Sequence, residues 1–432
     1  MKKTLIALAL MAVCVAAGAQ VKTSAEAKKM VDSAIEATKN EKKAAKAGTW
    51  INLGKAYMAA YDAPIGEVWQ WASKQELMLT MKEQAQSAQS VQLADGPYLK
   101  EVYSEKNLYF NQNGQLAVIE VTKPVLDDPL TKAVEAYSKA YSIDPKKAKD
   151  VTAAITSIAG KLTNDAYAQY TLGNVAKASE LFEKAADAVA IPPLNQLDTN
   201  SLYNAGFTAQ AVGDRARAKK FLERCYEAGY YAEGGEVFAR LADLDTTKTR
   251  DYLEEGFTKY PQSQAILIGL INYYMKSEGN TDRLFELLDM AKANEPNNPS
   301  LYYVEGNIRT ELGDIDKAVE AYRKCAEISP EYEYGYIGEG IMFYNKAVEY
   351  QDLANNEYDD AKYMALVAKF EESLKNCIAP FEKAFEITPD NSIKVSVAEY
   401  LKNACFRFRD ESPEYQTKYE KYDAIVKSGQ AE

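Results

Sequence analysis

One spacing pattern recurs along the chain and limits what the chain can fold into. The segment "LYNAGFTAQAVGDRARAKKFLERC" (202–225) aligns with "YYVEGNIRTELGDIDKAVEAYRKC" (302–325), so that small residues, a Gly-Asp pair and a cysteine coincide. A third copy keeps the same spacing from Ala166 to Ala185. Repeats of this length are single supersecondary units that stack to bury a common core. The sequence therefore predicts a stack of helical hairpins instead of two or three globular domains.

Each copy carries the signals of two helices joined by a tight turn. Gly206 and Gly306 in the first helix are each followed twelve residues later by an alanine, and we expect each pair to face each other at a close helix crossing. A glycine is expected to end the first helix in the left-handed conformation, and the next residue to cap the second helix through its side chain. These glycines are Gly173, Gly213 and Gly313, and the capping residues are Asn174, Asp214 and Asp314.

A proline ends each unit, and Pro296 and Pro330 are 34 residues apart. The whole pattern resembles the tetratricopeptide repeat (TPR), a unit of 34 residues with Trp-x-x-Leu-Gly-x-x-Tyr in its first helix and Ala, Phe, Ala and Pro further on. "WINLGKAY" (50–57) matches that first helix best, and the resemblance covers most of residues 47–390. It implies a mainly α fold, a TPR helix-hairpin solenoid, and a role in protein–protein interaction.

The first hairpin is interrupted. Gly54 has no alanine twelve residues later, and the second-helix pattern appears only at Ala133, within "LTKAVEAYSKAYSIDP" (130–145). We therefore predict that residues 61–128 are inserted within one hairpin, and that Gly54 packs against Ala133.

The insertion changes from helical to alternating periodicity, which predicts a small α+β segment. Ser73 and Glu76 form a capping box before "KQELMLTM" (74–81), and "NLYFNQNGQLAVIEV" (107–121) predicts a β-hairpin that closes on Asn-Gly. This order of helix and strands weakly resembles the SmpA/OmlA-type outer-membrane assembly module. The alternative is a structural β-extension packed on the first repeat. We expect Trp69 and Trp71 to be buried, and an exposed aromatic pair on the insertion surface is the other interpretation.

The predicted organisation places the repeats between terminal segments of different character. The segments are a signal peptide (1–19), an N-terminal helix (20–46), the first TPR hairpin (47–60 and 129–145), the inserted segment (61–128), further TPR repeats (146–330), an extended TPR hairpin (331–390) and C-terminal capping helices (391–432).

The first residues predict export. Two lysines, an apolar run over 5–17 and small residues up to Ala19 are typical of a cleaved signal peptide. Cys14 raises the alternative of an outer-membrane lipoprotein, but Val13 stands where such a signal needs a small residue. We therefore predict a periplasmic or otherwise exported protein, and expect no membrane span because no later segment is apolar for long enough.

Composition argues against chemistry and against nucleic acid. The chain has no histidine, which removes the usual general base and the commonest metal ligand, so we predict no enzyme activity, no cofactor and no metal site. A net charge of −12 without a basic run disfavours nucleic acid as a partner. Cys225, Cys325 and Cys377 occupy small buried slots of the repeat, where we expect packing, with a disulfide as the alternative.

Stacked hairpins normally present their first helices on a concave surface, and the positions beside the small residue should point there. Reading these positions gives the candidate partner-binding residues Thr163, Tyr167, Tyr203, Phe207, Tyr273, Tyr303 and Asn307. Aromatic rings of this kind suit the binding of an extended or helical peptide. We therefore predict a non-catalytic exported scaffold that binds envelope proteins or peptide segments. The alternatives are a glycan- or small-ligand-binding module, or rings that only cover the interfaces between repeats.

Overall fold

A computed structural model of the chain describes residues 22–93, 95–276 and 281–429. They fall into two compact units. The N-terminal unit runs to Ala232 and includes Asp243–Asp245, and the C-terminal unit consists of Glu233–Ala242 and the residues from Thr246 on. Among the described helices, none combines the length and the hydrophobicity that crossing a bilayer requires. The predicted signal peptide, residues 1–19, lies outside the described residues.

The N-terminal unit is built from antiparallel helices in chain order, interrupted by one small sheet. The helices are α1 (Ser24–Lys39), α2 (Glu41–Ala44), α3 (Ala47–Ile65), α4 (Lys74–Thr80), α5 (Pro129–Ile143), α6 (Ala148–Thr171), α7 (Val175–Ala190), α8 (Thr199–Ala211) and α9 (Arg215–Glu227), with a 3₁₀ turn at Pro145–Lys147. From α5 onward each helix packs against the next, which is the predicted stack of hairpins.

The interrupted hairpin closes as predicted. α3 packs along α5, and a Cβ added to Gly54 would lie 2.7 Å from the ring of Tyr137. Tyr137 follows Ala133 by one helical turn, and both residues are buried in the core of this hairpin. The glycine is needed because the ring of Tyr137 leaves no room for a Cβ at this crossing.

The other hairpins follow the same rule. A Cβ on Gly206 would lie 2.9 Å from the side chain of Leu222 and 3.3 Å from the carbonyl oxygen of Ala218. A Cβ on Gly306 would collide with the ring of Tyr322. In each hairpin the glycine makes room for the large apolar residue that follows the expected alanine by four positions, on the same face of the second helix.

The predicted turns are confirmed and the predicted caps only in part. The turn glycines have positive φ angles of 84° (Gly173), 81° (Gly213) and 74° (Gly313). The carboxylate of Asp214 accepts a hydrogen bond from the backbone N–H three residues later at 3.0 Å. Asn174 and Asp314 make no such side-chain bond. The side-chain amide of Asn174 donates a hydrogen bond to the side chain of Gln169 instead, and the carboxylate of Asp314 forms an ion pair with the ammonium group of Lys317.

The insertion has the predicted mixed structure. It contains α4 and an antiparallel sheet in the order β1-β2-β3-β4, and the strands are β1 (Ser87–Leu93), β2 (Gly96–Val102), β3 (Lys106–Phe110) and β4 (Leu116–Val121). The capping box of Ser73 and Glu76 is present. This confirms a small α+β segment inside the first repeat. α3 runs to Ile65, beyond the expected end of the helix at residue 60. Pro64 is tolerated within it because it lies in the last turn, where only Ile65 follows.

The two faces of the sheet have different partners. One face packs with α4 around Leu77, Leu108 and Leu116. On the other face, Tyr109 and Val118 pack against Ala168 of α6. The sheet therefore rests on the helix that follows the interrupted hairpin.

The C-terminal unit continues the hairpins. Its helices are α10 (Glu236–Leu244, whose last two residues belong to the N-terminal unit), α11 (Thr249–Lys259), α12 (Gln264–Lys276), α13 (Thr281–Asn294), α14 (Pro299–Glu311), α15 (Ile315–Ile328), α16 (Glu333–Asn355), α17 (Asp360–Ile387), α18 (Asn391–Phe408) and α19 (Pro413–Ser428). The mainly α helix-hairpin repeat fold is thus confirmed.

Candidate functional site

A groove of about 360 Å³ lies in the C-terminal unit, between the first helices of three successive hairpins, α12, α14 and α16. The groove is lined by Ile268, Ile271, Asn272, Met275, Val304, Asn307, Thr310, Glu311, Tyr322 and Ile341. The repeat pattern predicted a binding surface on first helices. In this unit the three helices leave an open space between them.

The α12 side of the groove is apolar. The sequence of this helix, "QAILIGLINYYMK", has apolar residues on nearly every side. Ile266 and Leu270 are fully buried in the core. Ile268 and Met275 remain 52% and 38% exposed, and they line the groove. Since one face of the helix is enough for the core, the remaining apolar residues are available to a ligand.

The α14 side supplies hydrogen-bonding groups. The buried hydroxyl of Tyr322 donates to the Oδ1 of Asn307 at 2.8 Å, and burial raises the pKa of Tyr322 to about 12, so that the phenol stays protonated. Within the part of the chain that the structure describes, the Nδ2 of Asn307 makes no hydrogen bond. Tyr322 thereby orients the amide, and the Asn307 N–H groups remain available to an acceptor in the groove.

Charge in the groove is limited to one residue. Glu311, at the end of α14, is exposed and is the one ionised side chain among the lining residues. Asn272 on α12 adds a second amide. A mainly apolar cleft with two amides and one carboxylate is suited to holding a polypeptide segment, through its side chains and its backbone carbonyls.

Three of the predicted partner-binding residues, Tyr273, Tyr303 and Asn307, belong to the C-terminal unit, and they differ in whether they line the groove. Asn307 lines the groove. Tyr303 is half-buried, and its ring lies 6.1 Å from that of Tyr322 and 5.8 Å from that of Tyr334. The ring of Tyr273 lies edge-on to Tyr274 at 5.4 Å. Neither Tyr273 nor Tyr303 is among the lining residues, because each packs against a neighbouring ring.

The predicted aromatic residues of the N-terminal unit also contact one another. Tyr203 and Phe207 are stacked on α8 with their ring centres 6.3 Å apart. Tyr230 meets Tyr203 at 6.2 Å, and Tyr170 meets Phe207 at 6.4 Å. We call Tyr170, Tyr203, Phe207 and Tyr230 the aromatic cluster. Tyr203 and Phe207 are half-buried, and part of each ring is covered by the others.

The two predicted residues on α6 have partners of their own. The ring of Tyr167 packs edge-on against Phe182 at 5.1 Å, and its hydroxyl accepts a hydrogen bond from Asn204 at 3.1 Å. The hydroxyl of Thr163 donates to the carbonyl oxygen of Ala159 in the same helix. The contacts of Tyr167 join α6 to α7 and α8, whereas the bond of Thr163 stays within α6.

The tryptophans of the insertion do not follow the expectation of burial. Trp71 is 63% exposed and Trp69 is 36% exposed. The backbone N–H of Trp71 donates to the carbonyl oxygen of Leu116 at 2.7 Å, so the loop is held on β4 by its main chain. The rings are therefore not needed to attach the loop, and they remain on the insertion surface.

The four cysteines among the described residues, Cys225, Cys325, Cys377 and Cys405, are buried and free. Burial raises the pKa of Cys225 and of Cys377 to about 12, and that of Cys325 and of Cys405 to about 11. A thiol with such a pKa is not a nucleophile near neutral pH. The four residues pack in the core of their hairpins, as expected for small buried positions.

The sequence did not indicate Ile268, Asn272 and Met275 as site residues. They lie on one side of α12 at spacings of four and three, and the available signal was the surplus of apolar residues in that helix. That signal was ambiguous, because a helix that is apolar on every side is also typical of a fully buried helix.

One family model matches the chain. Residues 299–332 match the tetratricopeptide repeat, and this range contains α14 and α15. A search of curated proteins found no match to the chain.

Several solved structures are similar at low identity. A monomeric mutant of IFIT1 with Gppp-AAAA is 15% identical, with 68% of each chain covered and a TM-score of 0.34. A TPR repeats protein from Bacteroides fragilis is 16% identical, with 62% of this chain and 99% of that chain covered and a TM-score of 0.26. YrrB, described as a TPR protein with an unusual peptide-binding site, is 18% identical, with 62% and 99% covered and a TM-score of 0.24. At these scores the similarities carry no argument about ligands.

Proposed function

We propose that this protein is a non-catalytic scaffold that binds a segment of another protein in the groove of the C-terminal unit. The observation that carries the proposal is an apolar cleft formed by three successive first helices, with the Asn307 amide held in place by Tyr322. The matched tetratricopeptide repeat supplies α14, the central helix of this cleft.

The size and chemistry of the groove favour a short peptide segment. Packed helices lie about 8–10 Å apart, so three first helices with an open groove between them span roughly 20 Å or more. An extended chain of about six residues covers that distance. Apolar side chains of the segment would contact Ile268, Met275 and Ile341, and one backbone carbonyl would accept from Asn307. A basic residue of the segment would lie near Glu311.

The binding site can be tested on the purified mature protein with a displayed library of random peptides. Selected peptides are titrated by fluorescence anisotropy against wild type and against the double variant Ile268→Asp, Met275→Asp. We expect the variant to bind at least about tenfold more weakly, because it places two charges on an apolar wall. Leu312→Ser is the matched control, since Leu312 is also 52% exposed and does not line the groove.

Two results would contradict the proposal. Equal affinity for the double variant would remove the groove as the site, and a library without any selected peptide would remove peptide binding. Saturable fluorescence quenching by an oligosaccharide in place of a peptide would favour the glycan-binding alternative.

We also propose that the scaffold acts in the cell envelope after export. The support is the lysine-led apolar segment that ends in small residues at Ala19. Intact-mass analysis of the protein from its native cells should give a mature chain that begins at Gln20. A chain that retains Met1 would contradict export, and a lipid-modified chain that begins at Cys14 would indicate a lipoprotein.

A further inference from the structure

The hairpin of α16 and α17 is much longer than the hairpin before it. α16 has 23 residues and α17 has 28, against 13 and 14 in α14 and α15. At 1.5 Å per residue, the extra length is about 15–20 Å. Contacts with α18 reach along the hairpin to Tyr344, whose ring meets Tyr400, and to Glu371, which pairs with Arg407. We call residues 346–369, which lie beyond these contacts, the hairpin tip.

The hairpin tip exposes large apolar side chains. The exposed fractions are 41% for Val348, 49% for Leu353, 98% for Tyr358, 43% for Tyr363 and 62% for Met364. Residues 361–365 of α17 are all exposed, and only Lys362 among them is charged. Each helix of a two-helix hairpin can bury one face against the other, and Ala347 and Ala354 already occupy that face. The remaining apolar residues form a surface without a partner.

The hairpin tip is also acidic. Residues 346–369 contain the five carboxylates Glu349, Asp352, Glu357, Asp359 and Asp360 and the three lysines Lys346, Lys362 and Lys369, so five negative and three positive charges leave a net charge of −2. Lys346 pairs with Glu349 at 2.8 Å, and Asp359 caps α17 through the backbone N–H of Lys362. Within the described residues, Asp352 and Asp360 make no ion pair. Unpaired carboxylates therefore lie within a few residues of the exposed apolar side chains.

We propose that the hairpin tip is a second docking surface, and that it binds an amphipathic segment of another protein with basic residues beside its apolar face. Such a segment buries the apolar side chains and pairs with the carboxylates at the same time. A second copy of this chain would bring a second tip with the same net negative charge to the contact, which like charges disfavour. An anionic bilayer surface is disfavoured for the same reason. The inference does not depend on the groove.

The test uses the whole mature protein and a labelled amphipathic helix of leucine and lysine, about 18 residues long. A leucine–glutamate helix of the same pattern is the charge control. The tip variant is Leu353→Ser, Tyr363→Ser, Met364→Ser, and the matched surface control is Val212→Ser, Leu312→Ser. We expect binding of the lysine peptide to wild type and to the control, at least about tenfold weaker binding to the tip variant, and equally weak binding of the glutamate peptide.

Several outcomes would overturn the inference. One is equal binding of the lysine peptide to the tip variant, and another is equal binding of the two peptides to wild type. A dimer of wild type that the tip variant dissociates in sedimentation would make a second copy the occupant. Flotation with anionic vesicles that the tip variant abolishes would make a membrane the occupant. An unchanged Tm of the tip variant shows that weaker binding is not caused by unfolding.

Discussion

The aromatic cluster of the N-terminal unit and the groove of the C-terminal unit are both built on first helices of hairpins, but they differ in what their side chains leave open. In the cluster, Tyr203 and Phe207 stack on each other and meet further rings. In the groove, the ring of Tyr322 is buried in the core, and a space of about 360 Å³ between the helices stays open. Rings that cover one another leave less surface to a ligand than an open cleft does.

The largest expected effect concerns the close crossing of α14 and α15, both of which contribute residues to the groove. Tyr322 lies between Gly306 and Gly338, and a Cβ on either glycine would collide with its ring. Gly306→Leu should therefore lower the free energy of unfolding by about 3 kcal/mol, through overpacking. Urea unfolding followed by circular dichroism measures this change.

Gly48→Leu is the matched control for that variant. Gly48 is a helical glycine too, but a Cβ there has no heavy atom within 4 Å. We expect the control to be slightly more stable than wild type, since leucine favours the helix more than glycine does. Equal effects of the two variants would show that the close crossing does not hold the groove wall.

The next effect tests whether α6, which carries Thr163 and Tyr167, is an internal contact surface. On this helix Asp165 accepts a hydrogen bond from Tyr61 of α3 at 2.8 Å, and Lys161 pairs with Asp62 at 2.7 Å. Burial raises the pKa of Asp165 from its ordinary value of 3.8 to about 6, against the bond from Tyr61 and the charge of Lys161, which lower it.

The sign of the resulting pH dependence follows from that raised pKa. The folded state holds the Asp165 proton up to about pH 6 and the unfolded state loses it near pH 4, so ionisation costs stability as the pH rises between these values. Asp165→Asn removes the cost while keeping an acceptor for Tyr61. We expect the variant to be about 2 kcal/mol more stable than wild type at pH 7.5, with little difference at pH 4. The same difference in urea unfolding at both pH values would contradict this account.

A smaller effect separates the two surfaces directly. Phe207→Ala should lower the free energy of unfolding by about 1–2 kcal/mol, because Phe207 is packed among other rings. Ile268→Ser should change it by less than about 0.5 kcal/mol, because Ile268 is 52% exposed in the groove. Thermal melts of both variants check the pair. A reversed order would mean that the cluster is open and that the groove wall belongs to the core.

The smallest expected effect compares two hairpins. In the hairpin of α8 and α9 the second helix is capped by Asp214, and in the hairpin of α14 and α15 the equivalent residue is Asp314. Asp214→Ala should cost about 1 kcal/mol, because Asp214 accepts from the backbone at the start of α9. Asp314→Ala should cost less, about 0.5 kcal/mol, since Asp314 makes no cap hydrogen bond and has an ion pair with Lys317 at the surface and a half-buried one with Arg309. Urea midpoints of the two variants test the difference, and equal losses would contradict the cap assignment.

Much of the fold could be predicted because its signals are local. The repeat spacing identified the hairpins, the left-handed glycines such as Gly213 identified the turns, and Asn-Gly identified the hairpin of the insertion. The pairing of Gly54 with α5 could be predicted across the insertion, because the pattern of the second helix is itself local. The exact partner, Tyr137, could not be predicted, since it depends on the rotation of the two helices about their axes.

Less of the candidate site could be predicted. Asn307 was found because it follows Gly306 in the repeat. Ile268 and Met275 were missed because their exposure depends on how far apart α12, α14 and α16 lie, which no single repeat records. The same limit applies to Tyr303. Its position three residues before Gly306 made it a candidate binding residue and left open that its ring only covers an interface, and in the structure the ring packs against Tyr322 and Tyr334.

Crosslinked co-purification from native cells distinguishes the groove from the aromatic cluster as the surface that binds a partner. It compares wild type, the groove variant Ile268→Asp, Met275→Asp, and the cluster variant Tyr203→Ala, Phe207→Ala, all at equal amounts of folded protein. Binding in the groove predicts a stoichiometric partner that is lost with the groove variant and retained with the cluster variant. Loss with the cluster variant and retention with the groove variant would contradict it, and would make the aromatic cluster the binding surface.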